Sequence, residues 1–148
     1  MTNSNTITSD RADSKPSQHA INVGISACLT GNEVRYNGGH TQSRLCLDLL
    51  SQCFTFTSFC PEVAAGFSIP RPTMRLTGDP DSPKLVFSND DANDLTDQLV
   101  KGFEKELPKM GHLDGYILMK NSPSCGLEKI KVYQGNGHPH QTRATGVF

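Results

Sequence analysis

The sequence predicts an α/β fold: a single domain with a mainly parallel sheet flanked by helices. Three observations carry that expectation. Short runs at Ile21 to Ala27, Phe54 to Phe59 and Tyr116 to Met119 have the length and the apolar or alternating character of strands. The segments between them include stretches with helical spacing of apolar residues. Each run then gives way to a polar loop bearing a cysteine, namely Cys28, Cys60 and Cys125. In open α/β sheets ligands collect outside the carboxyl ends of the strands. Three thiols leaving three strand ends are therefore expected to converge there and hold a metal centre.

A chain of 148 residues suits one domain, burying about two thirds of its unfolded surface. Its 14 Lys and Arg against 15 Asp and Glu leave a formal net charge of −1. That balance gives no general attraction for nucleic acid or an anionic membrane, although it leaves room for a local basic patch. No apolar run approaches the roughly 18 residues of a membrane span, and no signal-peptide pattern opens the sequence. The 5 cysteines are odd in number and lack the density of a secreted disulfide framework. A reducing, cytoplasmic compartment is expected.

Residues 1–20 are polar with almost nothing to bury and are expected to form a disordered tail, leaving 21–148 as the folded domain. After the first strand, Asn37-Gly38-Gly39 marks a tight turn. Arg35 just before it suits bidentate contact with a carbonyl or phosphate, against the ordinary reading of a surface arginine. A helix is expected from Thr41 to about Gln52, with Leu45, Leu49 and Cys53 as its apolar stripe beside Cys46 and Leu50. Cys46 and Cys53 are thereby explained as small buried residues rather than ligands.

Pro61 ends the second strand and holds Cys60 and Glu62 at its mouth. Glu62 there suits proton transfer; as a charge at the start of a short helical turn over residues 63–66 it would serve structure instead. The prolines of residues 67–73 require extended chain. Met74 to Thr77 and Lys84 to Phe87 predict a hairpin with a long turn, and Arg71 and Arg75 border it, as substrate contacts or as members of surface salt bridges. Asn89 to Asp91 offer caps for a helix through Leu107, with Leu95, Leu99, Phe103 and Leu107 inward and Pro108 and Gly111 ending it. Lys129 to Tyr133 alternates like an edge strand or hairpin arm and residues 134–137 form a turn. His138 and His140 are expected to be solvated in a Gly/Pro loop. The apolar ending Gly146-Val-Phe148 is what a domain taken from a longer polypeptide would show.

Three isolated thiols admit several chemistries. Zinc bound by three Cys with an open position activates water. An iron–sulfur cubane with three Cys leaves one iron as a Lewis acid with affinity for soft sulfur. No C-x-x-C spacing is present to choose between them. Three unrelated buried cysteines form the remaining account.

The motifs Ile25-Ser-Ala-Cys-Leu29, Val34-Arg-Tyr-Asn-Gly-Gly-His40, Cys60-Pro-Glu-Val63 with Pro70-Arg-Pro72, and Ser122-Pro-Ser-Cys-Gly126 occur in this order. Together they resemble the thiouracil desulfidase (TudS) family, formerly a domain of unknown function, over essentially residues 21–148. The resemblance implies a [4Fe-4S] cluster held by Cys28, Cys60 and Cys125, with one open iron, in preference to zinc. It implies that Glu62 is the acid/base, that Ser122 assists it, and that a thiocarbonyl becomes a carbonyl with sulfide release. Arg35, Asn121 and Arg71 are the expected substrate contacts, to a pyrimidine or a phosphate. Gly126 to Tyr133 and the final Gly146-Val-Phe148 resemble a longer branch, in which a second domain engages tRNA. That second domain is expected to be absent here, leaving the catalytic part of the longer branch. Free thiouracil and tRNA thiouridine both stay open as substrates, and a non-catalytic cluster or metal module is the alternative.

Overall fold

The computed structural model describes residues 20–148. The tail expected over residues 1–20 lies, apart from Ala20, outside the described residues. Two sheets build the domain. The first contains β1 (Ile21–Ser26), β2 (Phe54–Phe59) and β5 (Gly115–Ile117), all parallel, in the order β2-β1-β5. The second contains β3 (Met74–Asp79), β4 (Ser82–Phe87), β6 (Ile130–Tyr133) and β7 (Pro139–Ala144), in the order β4-β3-β6-β7. Its β3–β6 pair is parallel and its two outer pairs are antiparallel. The α/β class is thus as expected, with the parallel strands gathered in one sheet and the hairpins in the other.

β1 is the central strand of the parallel sheet, and Val23, Gly24, Ile25 and Ser26 are buried in succession. Such a run belongs to a strand covered on both faces. Gly24 sits opposite Tyr116 on β5. A Cβ at position 24 would lie 2.3 Å from the Tyr116 ring, so only glycine lets that ring lie across the sheet.

The main core lies around the second sheet and α2 (Thr96–Glu104), where Leu76, Leu85, Leu95, Leu99, Phe103 and Val132 pack together. α2 starts later than the Asn89 to Asp91 caps predict. Those residues are engaged in turns: Asp90 Oδ1 accepts the Ala92 N–H, and the Asp91 carboxylate holds Arg75. Asp94 Oδ1 instead accepts the Thr96 N–H at 3.0 Å, an Asx turn that opens the helix. Leu107 is 44% exposed in a 3₁₀ turn with Pro108, outside the stripe assigned to it.

Two further expectations are corrected. The hairpin turn is short, because β3 and β4 pair as far as Asp79 opposite Ser82. The segment after the first loop is no regular amphipathic helix: Leu45–Leu49 is a π turn, followed by a 3₁₀ turn at Leu50–Gln52. A π turn has a wider period than 3.6 residues, which rotates Cys46 inward and leaves Leu45 and Leu49 about 60% exposed. Cys53 is exposed as well, not buried as expected. His140 lies within β7 rather than in a loop.

Candidate metal centre and active site

Cys60 follows β2 directly and is the extended residue before α1 (Pro61–Ala64). Pro61 at the first helical position starts this turn because its fixed φ is already helical and its missing N–H is not needed there. Glu62 therefore stands one residue inside the turn. Cys28 lies in a 3₁₀ turn, Ala27–Thr30, directly after β1, which Gly31 ends in the left-handed region at φ 91°. The third cysteine sits on the loop after β5. Asn121 there has φ 62°, a conformation that Asn tolerates better than most residues. Ser122 Oγ then accepts the Cys125 N–H at 3.2 Å, and the Gly126 N–H donates to Ser122 O at 2.8 Å.

A cavity of about 350 Å³ opens where these three segments meet, and Cys28, Cys60 and Cys125 all line it. Glu62, Ser122, Arg35, Asn121 and Arg71 line the same cavity, so the expected ligands, the expected acid/base pair and the expected substrate contacts surround one space. Among the described residues no group of three or more His, Cys, Asp or Glu side chains is arranged to hold a metal ion. A single zinc needs sulfurs at about 2.3 Å from one point. A four-iron cluster instead spreads its thiolates over separate irons.

The polar groups form a connected series. Arg71, 8% exposed, donates from Nε to Glu62 Oε2 at 2.9 Å and pairs with the same oxygen through Nη2. Its remaining donors reach Val34 O at 2.9 Å and Ser68 O at 3.1 Å. The guanidinium is thus engaged in fixing Glu62 and two loops. Glu62 Oε1 accepts the Ser124 hydroxyl, and Ser124 Oγ lies 3.0 Å from Ser122 Oγ. Ser122 Oγ lies 3.3 Å from Cys125 Sγ, and Ser26 Oγ lies 3.5 Å from the same sulfur while accepting the Met119 N–H. Arg35 donates to Thr41 Oγ1 and lies over the Tyr36 ring, while its backbone shapes the Asn37–Gly39 turn.

The thiols feel their burial. Desolvation pushes the Cys60 thiol up to about 11, with Glu62 adding to the rise. Desolvation raises Cys28 too, with Cys125 adding to it and Arg35 opposing it. Tyr116 is raised by desolvation and then by Cys125, Cys60 and Cys28, which puts the phenol within electrostatic reach of all three sulfurs. Its hydroxyl is the one buried side-chain polar atom among the described residues without a hydrogen-bond partner.

The last residues support this site from below. Gly146 N–H donates to Gly126 O at 2.7 Å and Phe148 N–H to Ser124 O at 2.7 Å. The Phe148 ring packs against Phe59, Phe103 and Tyr116 at 5.1–5.4 Å between centroids. Sequence reasoning missed Ser26, Ser124 and Tyr116 as parts of the site. Ser124 was visible only as a neighbour of Cys125, and nothing local marks Tyr116 as more than a strand residue.

The fold and the cavity define an α/β domain that presents three thiols and a fixed carboxylate at the carboxyl ends of parallel strands. The 2-thiouracil desulfurase family model matches residues 23–148. The chain belongs to that family of enzymes. It is 34% identical over 131 residues to the uncharacterized protein YbbK of Bacillus subtilis (strain 168), covering 83% of each chain. Among solved structures it resembles the [4Fe-4S]-dependent thiouracil desulfidase TudS, at 27% identity and a TM-score of 0.57. That likeness covers 85% of this chain and 79% of the other.

Proposed function

We propose that this chain is an iron–sulfur-dependent desulfidase that converts the thiocarbonyl of a thiolated pyrimidine to a carbonyl. The observation that carries the reading is the convergence of Cys28, Cys60 and Cys125 on the cavity that also holds Glu62. The donor set fits a [4Fe-4S] cluster: three thiols and no fourth in the cavity wall. Cys28, Cys60 and Cys125 would be its ligands, leaving one iron open. When bound, the cluster supplies a Lewis-acidic iron with affinity for the sulfur of the substrate.

The protein's own residues supply proton handling and orientation. Glu62, fixed by Arg71 on one oxygen and Ser124 on the other, removes a proton from an attacking water. Ser122 stands beside Cys125 and steadies charge that develops at the reacting carbon. The balance is C=S plus water giving C=O plus hydrogen sulfide, with no net redox change. Arg35 and Asn121 on the cavity wall are the proposed contacts to the pyrimidine or a phosphate. Arg71 has its guanidinium committed to Glu62, Val34 and Ser68, which favours a positioning role over direct substrate contact.

Free thiouracil and thiouridine in tRNA are the two substrates proposed, the second with help from a further tRNA-binding domain in longer relatives. A reducing cytoplasm suits 5 cysteines that are all free thiols. No helix among the described residues is long and apolar enough to cross a membrane. The test is anaerobic reconstitution, iron and sulfide quantification, then incubation with 2-thiouracil, 4-thiouracil and thiolated tRNA. Cluster incorporation with release of sulfide and the oxo product is the expected result. Incorporation without turnover of any of the three would instead identify a structural or redox-sensing module.

A further inference from the structure

We propose that Ser124 is the relay that connects Glu62 to Ser122, so that the proton-handling unit is Glu62–Ser124–Ser122 rather than a carboxylate and a serine in direct contact. The inference rests on the desulfidase reading and deepens it. Glu62 Oε1 receives the Ser124 hydroxyl, and Ser124 Oγ in turn lies 3.0 Å from Ser122 Oγ. A carboxylate only accepts hydrogen bonds, and each hydroxyl has one proton to donate. The direction of the series is therefore fixed. Ser124 donates to Glu62, Ser122 donates to Ser124, and Ser122 Oγ, on the cavity wall, accepts from the Cys125 N–H at 3.2 Å and from the Cys125 thiol at 3.3 Å.

Ser124 is suited to this place by its surroundings. It is 1% exposed, so bulk water does not compete for its hydroxyl. Its carbonyl is tied to the Phe148 N–H, and the carboxylate it serves is clamped from the other side by Arg71. The proton balance follows from the geometry. Water gives a proton to Ser122 Oγ as its oxygen bonds to the substrate carbon. Ser122 passes its own proton to Ser124 Oγ, and Ser124 passes its proton to Glu62 Oε1. Both serines end as neutral hydroxyls and Glu62 ends protonated, and it returns this proton to the sulfur. The proton left on the added hydroxyl then passes to the sulfur as the carbonyl forms, so that hydrogen sulfide leaves.

The experiment uses anaerobically reconstituted protein and 2- or 4-thiouracil, whichever the unsubstituted protein turns over. Turnover by the unsubstituted protein comes first, because its failure would sink the desulfidase reading as a whole. Ser124→Ala is expected to keep its iron and sulfide content and its KM while kcat falls on the order of 10²-fold. Since the two serines act in series, Ser122→Ala/Ser124→Ala should lose no more than Ser122→Ala alone. Ser124→Thr and Ser124→Val match in shape and differ in the hydroxyl, so a higher kcat for Thr is expected even if both pack less well. A fully active Ser124→Ala, losses that multiply in the double variant, or equal rates for Thr and Val would overturn the relay and leave the desulfidase reading standing.

Discussion

Removing Arg71 strands the Glu62 carboxylate, whose side chain is only 15% exposed. Breaking one side of such a buried pair costs about 3–5 kcal/mol, so Arg71→Met should lower the urea midpoint clearly. Arg71→Lys should rescue little, because a single ammonium cannot reach Glu62, Val34 O and Ser68 O together. Glu62→Gln makes the opposite separation. It keeps the shape and removes the base, so iron content and visible colour should persist while kcat falls about 10²–10⁴-fold. Loss of colour in Glu62→Gln would mean that the carboxylate serves assembly of the centre and not turnover.

At the scale of elements, the site loop is held by contact between two glycines. A Cβ on Gly146 would meet Gly126 backbone atoms at 2.7–2.8 Å and the Cys125 nitrogen at 3.0 Å. Backbone cannot yield as a flexible side chain does, and overpacking of this kind costs about 1–3 kcal/mol. Gly146→Ala should therefore reduce both melting temperature and iron uptake. Gly135→Ala is the control, since nothing lies within 4 Å of a Cβ at that turn position. Equal iron uptake in the two variants would show that the Cys125 loop keeps its shape without the terminal residues. The Gly24 and Tyr116 pair makes a matching case inside the parallel sheet. Gly24→Ala should destabilise, and Tyr116→Leu should recover part of the loss because the ring is what it strikes.

For the molecule as a whole, the metal-free thiols predict a pH dependence. Burial raises Cys28 and Cys60, the latter to about 11, so the folded state keeps protons that the unfolded chain gives up near 9.0. The stability contributed by these thiols is present below the unfolded value and is lost as pH rises toward 11. Urea midpoints of the metal-free protein should be steady near pH 7–8 and fall above pH 9. Cys60→Ser should flatten that decline. The sequence disclosed the strands bearing the cysteines, because a run such as Val23 to Ser26 or Phe54 to Phe59 has few other ways to be buried. It disclosed Glu62 because a cysteine and a proline bracket it at a strand end. It did not disclose Ser124 or Tyr116, whose partners stand 62 and 92 positions away: Glu62 for the one and Gly24 for the other. The π turn was hidden too, since Leu45 and Leu49 fit a 3.6-residue period that the backbone does not keep.

The seating of Phe148 under the cysteine loop has a practical side. Its amide is bound to Ser124 and its ring is wedged among Phe59, Phe103 and Tyr116. An affinity tag or fluorophore fused directly after this residue would pull on the floor of the cavity.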